Sequence, residues 1–201
     1  MNAVYYRIVS GTPKADKFYV YDITNGLIEN IQWGSYKNNR NESVSLGVTG
    51  REIGQGKVNT AHALSMKEED KIGGQSRKSL AFKDSNGGYE TIWAYVSYMN
   101  GENGITSDSR ELSDEFGFSG NRRVRRIAGC RDWYIGSPEE YERLRASTLE
   151  PAWFEDVKMV WSSAEVNYND AYSWLYIDPT ESFWSNSSKG SYCRAVLLRS
   201  F

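Results

Sequence analysis

The sequence predicts an α+β fold in a single domain, and three observations carry this prediction. Segments with strand composition lie at both ends of the chain, at 3–9, which is rich in Tyr, Val and Ile, and at 192–198. A helix start with its own capping residues lies between them, at Ser137-Pro138-Glu139-Glu140. A length of 201 residues suits one domain with a substantial core. We therefore expect residues 1–201 to form one domain with about two main helices, in which the N- and C-terminal β-strands pair.

The N-terminal third is expected to begin with strands and to continue as loop. Residues 3–9, 18–23 and 27–33 have strand composition, and Thr24-Asn25-Gly26 provides a turn before the third strand. Residues 34–58 and 66–88 are rich in Ser, Asn, Gly and charge, which predicts two loop-rich insertions. A short helix is expected between them, starting at Asn59 or Thr60, with Ala61, Leu64 and Met66 as its apolar members.

The rest of the chain is predicted to contain helices and then strands. Residues 89–99 fit both a helix and a strand, and we favour a helix because their apolar positions recur with a period near 3.6. In the second helix Ser137 and Glu140 form a capping box, and Pro138 suits the first helical position. This helix is expected to end near Ser147. Strands are expected at 159–161, 171–177 and 192–198.

Composition argues against several classes of partner. The chain has 24 basic and 26 acidic residues, so it lacks the basic excess of a nucleic-acid-binding protein. No stretch approaches 18 apolar residues, and the N-terminus lacks a signal-peptide pattern, so we expect no membrane insertion and synthesis in the cytoplasm. Association with a virion would need no signal. Cys130 and Cys193 are expected to be free thiols rather than a disulfide.

The residues needed for catalysis or metal binding are scarce, which predicts a protein that is not an enzyme and has no cofactor. His62 is the single histidine, and no GxSxG motif accompanies it. Gly54-Gln55-Gly56-Lys57-Val58 does not match a phosphate-binding loop, because Val58 replaces the required Ser or Thr. Asn167, Asn169 and Asp170 supply part of a calcium-ligand pattern, and weak calcium binding stays open.

Four arginines in five residues form the strongest charge feature: Arg122, Arg123, Arg125 and Arg126. Such a run can bind phosphates or an acidic glycan. The alternative, which we favour, is a solvated segment neutralised by the carboxylates that precede it at 108–115.

The last 41 residues have the composition of a recognition surface. Nine of them are aromatic, and most of the residues between are Ser, Asn, Asp and Glu. Tyr and Trp supply rigid contact area at low entropic cost, while Ser and Asn adapt their hydrogen bonds.

Several segments, taken together, match a pattern that spans most of the chain from residue 18 onward. They are Tyr21-Asp22 to Trp33-Gly34, Gly54-x-Gly56-Lys57-x-Asn59-Thr60, Asp132-Trp133-Tyr134 with Ser137-x-x-Glu140, Trp161-Ser162-Ser163-x-Glu165, and Arg194-Ala195-Val196-x-x-Arg199-x-Phe201. In order and spacing they resemble the Lcl C-terminal-type domains, which share a C-type-lectin-like fold.

This resemblance implies a ligand-binding module of the kind found in adhesins and in phage or bacterial surface proteins, including variable receptor-binding proteins. It implies that Trp161-Ser162-Ser163 and Arg194-Ala195-Val196 belong to the framework, and that residues 167–184 display the binding groups. The formylglycine-generating enzymes form a related branch of the fold, but this chain has no match to their cysteine pair.

Our leading hypothesis is a non-enzymatic adhesin or receptor-binding protein, such as a phage virion or host-recognition component. The residues expected to contact a surface glycan or protein are Tyr168, Asn169, Asp170, Tyr172, Trp174, Trp184 and Asn186. Strand alternation leaves open that Trp174 and Tyr176 point into the core instead.

Two further hypotheses follow from the same segment. In the first, the protein has a structural or assembly role and forms a homo-oligomer through the same surface. In the second, it is a glycan-active enzyme with a carboxylate pair drawn from Glu165, Asp170, Asp178 and Glu181.

Overall fold

The computed structural model describes residues 4–8, 16–20, 28–34, 45–86, 91–100, 132–146, 159–177 and 182–200. These ranges contain eleven strands and four helices, which confirms the predicted α+β class. The strands are β1 (Val4–Ile8), β2 (Asp16–Val20), β3 (Ile28–Ile31), β4 (Lys71–Ile72), β5 (Gln75–Ser76), β6 (Tyr134–Ile135), β7 (Met159–Glu165), β8 (Asp170–Tyr176), β9 (Ser182–Ser188), β10 (Cys193–Ala195) and β11 (Leu197–Ser200). The helices are α1 (Gln55–Leu64), α2 (Arg77–Phe82), α3 (Ile92–Asn100) and α4 (Pro138–Ala146).

Two main sheets organise the fold. The first has the order β1-β2-β11-β6, and Leu198 of β11 lies opposite Val20 of β2. The second has the order β3-β10-β7-β8-β9, with β10 antiparallel to β3 and parallel to β7. In both sheets a C-terminal strand lies beside an N-terminal one, which confirms the predicted pairing of the two ends.

The core is built around three fully buried tryptophans. Trp33 and Trp93 meet edge to face with ring centroids 5.0 Å apart. The indole N–H groups of Trp33 and Trp161 donate to the backbone oxygens of Ser162 and Ile31, each at 2.9 Å. Their polar edges are therefore satisfied, and the same bonds join β7 to the N-terminal part of the second sheet.

Two predicted helices are confirmed, and each has a visible physical cause. Every residue of α3 is buried, so this helix is enclosed on all sides and does not show one apolar face and one polar face. At α4 the capping box forms: the Ser137 N–H donates to Glu140 Oε2 at 2.8 Å, and the Glu140 N–H donates to Ser137 Oγ at 3.4 Å.

The predicted start of α1 was wrong, and of its three predicted apolar members only Leu64 lies in the helix and packs against the core. The helix begins at Gln55, after Gly54 in the left-handed conformation at φ 89°, rather than at Asn59 or Thr60. Ala61 is exposed, and Met66 lies beyond the helix end. The buried members are Gly56, Asn59, Thr60 and Ala63, so this helix packs through small and hydrogen-bonding residues that a hydrophobic pattern does not reveal.

The loop prediction for 66–88 was also wrong in part, and the expected number of helices was too low for the described part of the chain. The described residues of that range contain the β4–β5 hairpin and α2, which buries Leu80, Ala81 and Phe82. Ser76 Oγ caps α2 by accepting the Ser79 N–H at 3.1 Å. The sequence also missed β9, whose Ser and Asn content obscures its strand character. Among the described helices none is long and apolar enough to span a membrane.

Candidate ligand-binding surface

Motif residues of the central region form a buried framework that joins α1 to α4. The Glu140 carboxylate accepts N–H bonds from Gly54 at 3.1 Å and Ser137 at 2.8 Å, so it caps two helices at once. Burial raises the pKa of Glu140 above its ordinary value, and these hydrogen bonds only partly offset that effect. A Cβ on Gly56 would clash with the Glu140 carboxylate and lie 2.6 Å from the Ile135 carbonyl oxygen. Only glycine fits at that point.

The neighbouring motif residues also hold backbone segments together. Asn59 Nδ2 donates to the Gly50 carbonyl at 2.8 Å and to Ser163 Oγ at 3.1 Å. Thr60 Oγ1 accepts the Ile135 N–H at 3.1 Å. These contacts give Asn59, Thr60 and Ser163 a structural role.

A buried ion pair, Glu165–Lys189, lies at the junction of three segments. Lys189 Nζ is 2.6 Å from Glu165 Oε2, and the side chains of Lys189 and Glu165 are 1% and 0% exposed. The other bonds to the carboxylate come from the loop before α1: the Leu46, Gly47 and Val48 N–H groups at 3.0, 2.6 and 3.2 Å, and Ser45 Oγ at 2.5 Å. Lys189 Nζ also lies 4.8 Å from the centre of the Trp33 ring.

Burial and the attraction between the two charges act against each other at both members of the ion pair, and a different one prevails at each. Burial alone would raise the pKa of Glu165, but the Lys189 charge and the hydrogen bonds outweigh it and lower that pKa. The pKa of Lys189 is lowered, because desolvation outweighs the attraction of Glu165. Glu165 is therefore held as a carboxylate that orders backbone, which is unsuited to the acid–base role considered from sequence.

The turn between β7 and β8 is ordered by Asn167. Its Oδ1 accepts the N–H groups of Asn169 at 2.7 Å and Asp170 at 2.9 Å, and its Nδ2 donates to Asp170 Oδ2 at 3.1 Å. Lys189 ties the same turn from the other side, because its Nζ donates to the Tyr168 carbonyl at 3.2 Å and its N–H to the Asn169 carbonyl at 3.0 Å. The backbone that carries Tyr168 is thus fixed, while the Tyr168 side chain is 57% exposed.

The strands that follow place further predicted residues beside this turn. Tyr172 lies opposite Asn186, and Trp174 lies opposite Trp184, so these four side chains share one face of the β8–β9 pair. Asn186 is exposed, whereas Tyr172 and Trp184 are half-buried. Phe183, which is 45% exposed, belongs to the opposite face by alternation.

The prediction that Trp174 contacts a ligand was wrong, because its side chain is only 3% exposed. Its ring packs edge to face against Trp184 at 4.9 Å, and Trp184 in turn lies 6.3 Å from the Tyr141 ring of α4. Trp174 therefore supports the surface from below. The side chain of Tyr176 lies outside the described part of the chain.

The remaining exposed or half-buried residues form what we call the aromatic–amide surface: Tyr168, Asn169, Asp170, Tyr172, Trp184 and Asn186. Sequence reasoning missed one neighbour, Arg51, whose guanidinium lies 4.5 Å from the centre of the Tyr172 ring. A lone arginine far away in sequence gives no signal of this contact.

The other sequence candidates lie elsewhere or outside the described residues. Arg122, Arg123, Arg125 and Arg126, like Cys130, Asp178 and Glu181, fall outside them. Cys193 is a buried free thiol, and burial raises its pKa to about 12. His62 Nε2 lies 3.2 Å from the Leu46 carbonyl oxygen. In the described ranges no group of three or more His, Cys, Asp or Glu side chains is placed to hold a metal ion.

Comparison of the chain with protein-family models, with curated proteins and with solved structures finds no match.

Proposed function

We propose that this chain is a non-enzymatic ligand-binding protein of the adhesin or receptor-binding type, with a C-type-lectin-like fold. Its aromatic–amide surface contacts a glycan or protein on another surface, as in a phage virion or host-recognition component. The observation that carries this proposal is the exposed Tyr168 ring on a turn whose backbone is fixed by Asn167 and Lys189.

A fixed turn favours binding because little conformational entropy remains to be lost on association. Tyrosine is well suited to such a position, since it adds a large apolar ring and a hydroxyl with only two side-chain torsions to order. The half-buried Trp184 and Tyr172, set edge to face with centroids 6.4 Å apart, continue the aromatic area along the strands. Asn186 adds an exposed amide beside them.

The test is binding of the whole chain to an array of bacterial cell-surface polysaccharides and envelope proteins. We expect Tyr168→Ala combined with Asn186→Ala to weaken binding at least about tenfold, as for residues that dominate an interface. Phe183→Ala is the matched control, because it removes an exposed aromatic from the opposite face of the same strand. Unchanged binding by the double variant, with an unchanged melting temperature, would contradict the proposal.

The second candidate function is a structural or assembly role, and the geometry of β9 favours it. Among the described strands β9 lies at the edge of the five-stranded sheet, and it carries no charge over Ser182–Ser188 and exposes Phe183. A long neutral edge strand invites pairing with another strand. Sedimentation at micromolar concentration distinguishes the two: a dimer that Phe183→Lys dissociates supports assembly, and a monomer contradicts it.

A further inference from the structure

The guanidinium of Arg51 contacts an aromatic ring, and among the described residues no acceptor bonds to its N–H groups. Its Cζ lies over the Tyr172 ring, 4.5 Å from the ring centre, and neither a hydrogen bond nor an ion pair joins the guanidinium to the described residues. The backbone of Arg51 is fixed on both sides: its carbonyl accepts the Glu139 N–H at 3.0 Å, and its N–H donates to Glu52 Oε2 at 3.1 Å. The ring contact leaves the guanidinium N–H groups without an acceptor among the described residues, so they are available to a planar anion.

Neutral hydrogen-bonding groups lie next to this cation. Asn186 is directly opposite Tyr172 on the neighbouring strand, at a separation of about 5 Å between Cβ atoms. Neither the Tyr172 hydroxyl nor the Asn186 amide makes a hydrogen bond to another described residue. A ligand that fits here therefore combines one anionic group with neutral donors and acceptors.

The surrounding charges restrict the ligand further. Glu52 and Glu139 both lie at the Arg51 backbone, with Glu139 Oε2 accepting the Ile53 N–H at 3.3 Å, and Asp170 precedes Tyr172 by two residues on β8. These carboxylates repel a polyanion such as a nucleic acid or an acidic peptide. They have less effect on a single carboxylate that meets the guanidinium through two parallel, directed hydrogen bonds.

We infer that Arg51, Tyr172 and Asn186 form a subsite for a sugar that carries one carboxylate, such as a uronic or sialic acid. The carboxylate lies against the edge of Arg51, and the sugar hydroxyls meet Tyr172 and Asn186. This inference rests on the proposed binding function and specifies its ligand class.

The experiment measures binding of the whole chain to oligosaccharides that contain a single uronic-acid or sialic-acid unit, each paired with its carboxyl-reduced counterpart. We expect the carboxylated member of each pair to bind more tightly. Arg51→Gln should weaken binding of that member roughly ten- to hundredfold, as expected for loss of a hydrogen bond to a charged group. Arg51→Lys retains the charge without the planar fork and should also weaken binding. Lys67→Gln is the control, because Lys67 is a 70% exposed cation in the segment after α1.

Equal affinity for the carboxylated and reduced sugars, or equal effects of Arg51→Gln and Lys67→Gln, would overturn the subsite. Tighter binding of a glutamate hexapeptide than of any sugar would overturn the sugar class. If Tyr168→Ala with Asn186→Ala still weakens binding to the surface array at least about tenfold in these cases, only the subsite fails. If that double variant also has no effect, the proposed function fails with it.

Discussion

At the scale of single residues, Lys189 and Glu165 order the segments that meet at the candidate surface. The carboxylate binds three consecutive backbone N–H groups, and the ammonium binds the Tyr168 carbonyl. Removing two charges from water is costly, so the pair is stable only because directed bonds replace that water. Its contribution is therefore to specify where the loop and the turn lie.

Lys189→Met should destabilise the fold strongly, because it leaves the buried Glu165 carboxylate without a countercharge. We expect a loss of about 3–5 kcal/mol in the free energy of unfolding, measured by urea denaturation. Lys67→Met is the control, since Lys67 and Glu69 are 3.8 Å apart with side chains 70% and 72% exposed. It should cost less than about 1 kcal/mol. Equal effects of the two variants would contradict this account.

The two glycines at the start of α1, Gly54 and Gly56, resist substitution for different physical reasons. A Cβ at Gly56 meets the Glu140 carboxylate and the backbone of β6, whereas a Cβ at Gly54 meets no atom of the described residues within 4 Å. What limits substitution at Gly54 is its φ of 89°. We expect Gly56→Ala to cost about 3 kcal/mol or more through overpacking. Gly54→Ala should cost about 1–2 kcal/mol through left-handed strain. Thermal denaturation measures the loss in each variant. A larger loss for Gly54→Ala than for Gly56→Ala would contradict close packing at Gly56.

At the scale of elements, the β7–β8 hairpin combines a local turn with support from a distant lysine. Asn167 bonds to Asn169 and Asp170 within the turn, and Val166 N–H donates to the Asp170 carbonyl at 2.9 Å. The turn-forming tendency of Asn167 is visible in the sequence, whereas the bonds from Lys189 are not. The turn is thereby held more firmly than its length alone would allow.

Asn167→Ala should loosen this turn without unfolding the domain, because it removes two acceptor contacts at an exposed position. We expect faster hydrogen exchange at the Asn169 and Asp170 amides and a loss of about 1 kcal/mol. Asn186→Ala, an exposed amide on β9, should leave those two amides unchanged. Equal exchange in the two variants would show that Lys189 alone orders the turn.

At the scale of the whole molecule, the contributions of two buried carboxylates to stability change with pH in opposite directions. Glu165 has a lowered pKa, so its stabilisation is present above the unfolded value of 4.5 and is lost as the pH falls through the folded pKa. Glu140 has a raised pKa, so its contribution is present below 4.5 and is lost as the pH rises through the folded pKa.

Acid unfolding should therefore depend on the ion pair. We expect the free energy of unfolding to fall below about pH 4.5, the ordinary value for Glu165. The double variant Glu165→Gln/Lys189→Met, which removes both charges, should fall less steeply in that window. Glu140→Gln should instead flatten the profile just above 4.5, where the native protein loses stability with rising pH. Urea denaturation across pH measures both, and parallel profiles for all three proteins would contradict the assignments.

The sequence by itself determined the features that depend on contiguous residues. The α+β class, the capping box at Ser137 and Glu140, and the pairing of the two ends were predicted, because caps and strand composition act over a few neighbouring positions. The strand that carries Tyr172 was predicted for the same reason.

Only the tertiary structure decided which side of each element is buried and which distant segments meet. Trp174 points inward beneath Trp184, which strand alternation had left as one of two possibilities. Gly56 packs against Glu140, and Arg51 lies over the Tyr172 ring, although nothing local to these residues indicates either contact. The physical reason is that burial and long-range hydrogen bonds depend on how whole elements pack, and a residue's own sequence neighbours do not contain that information.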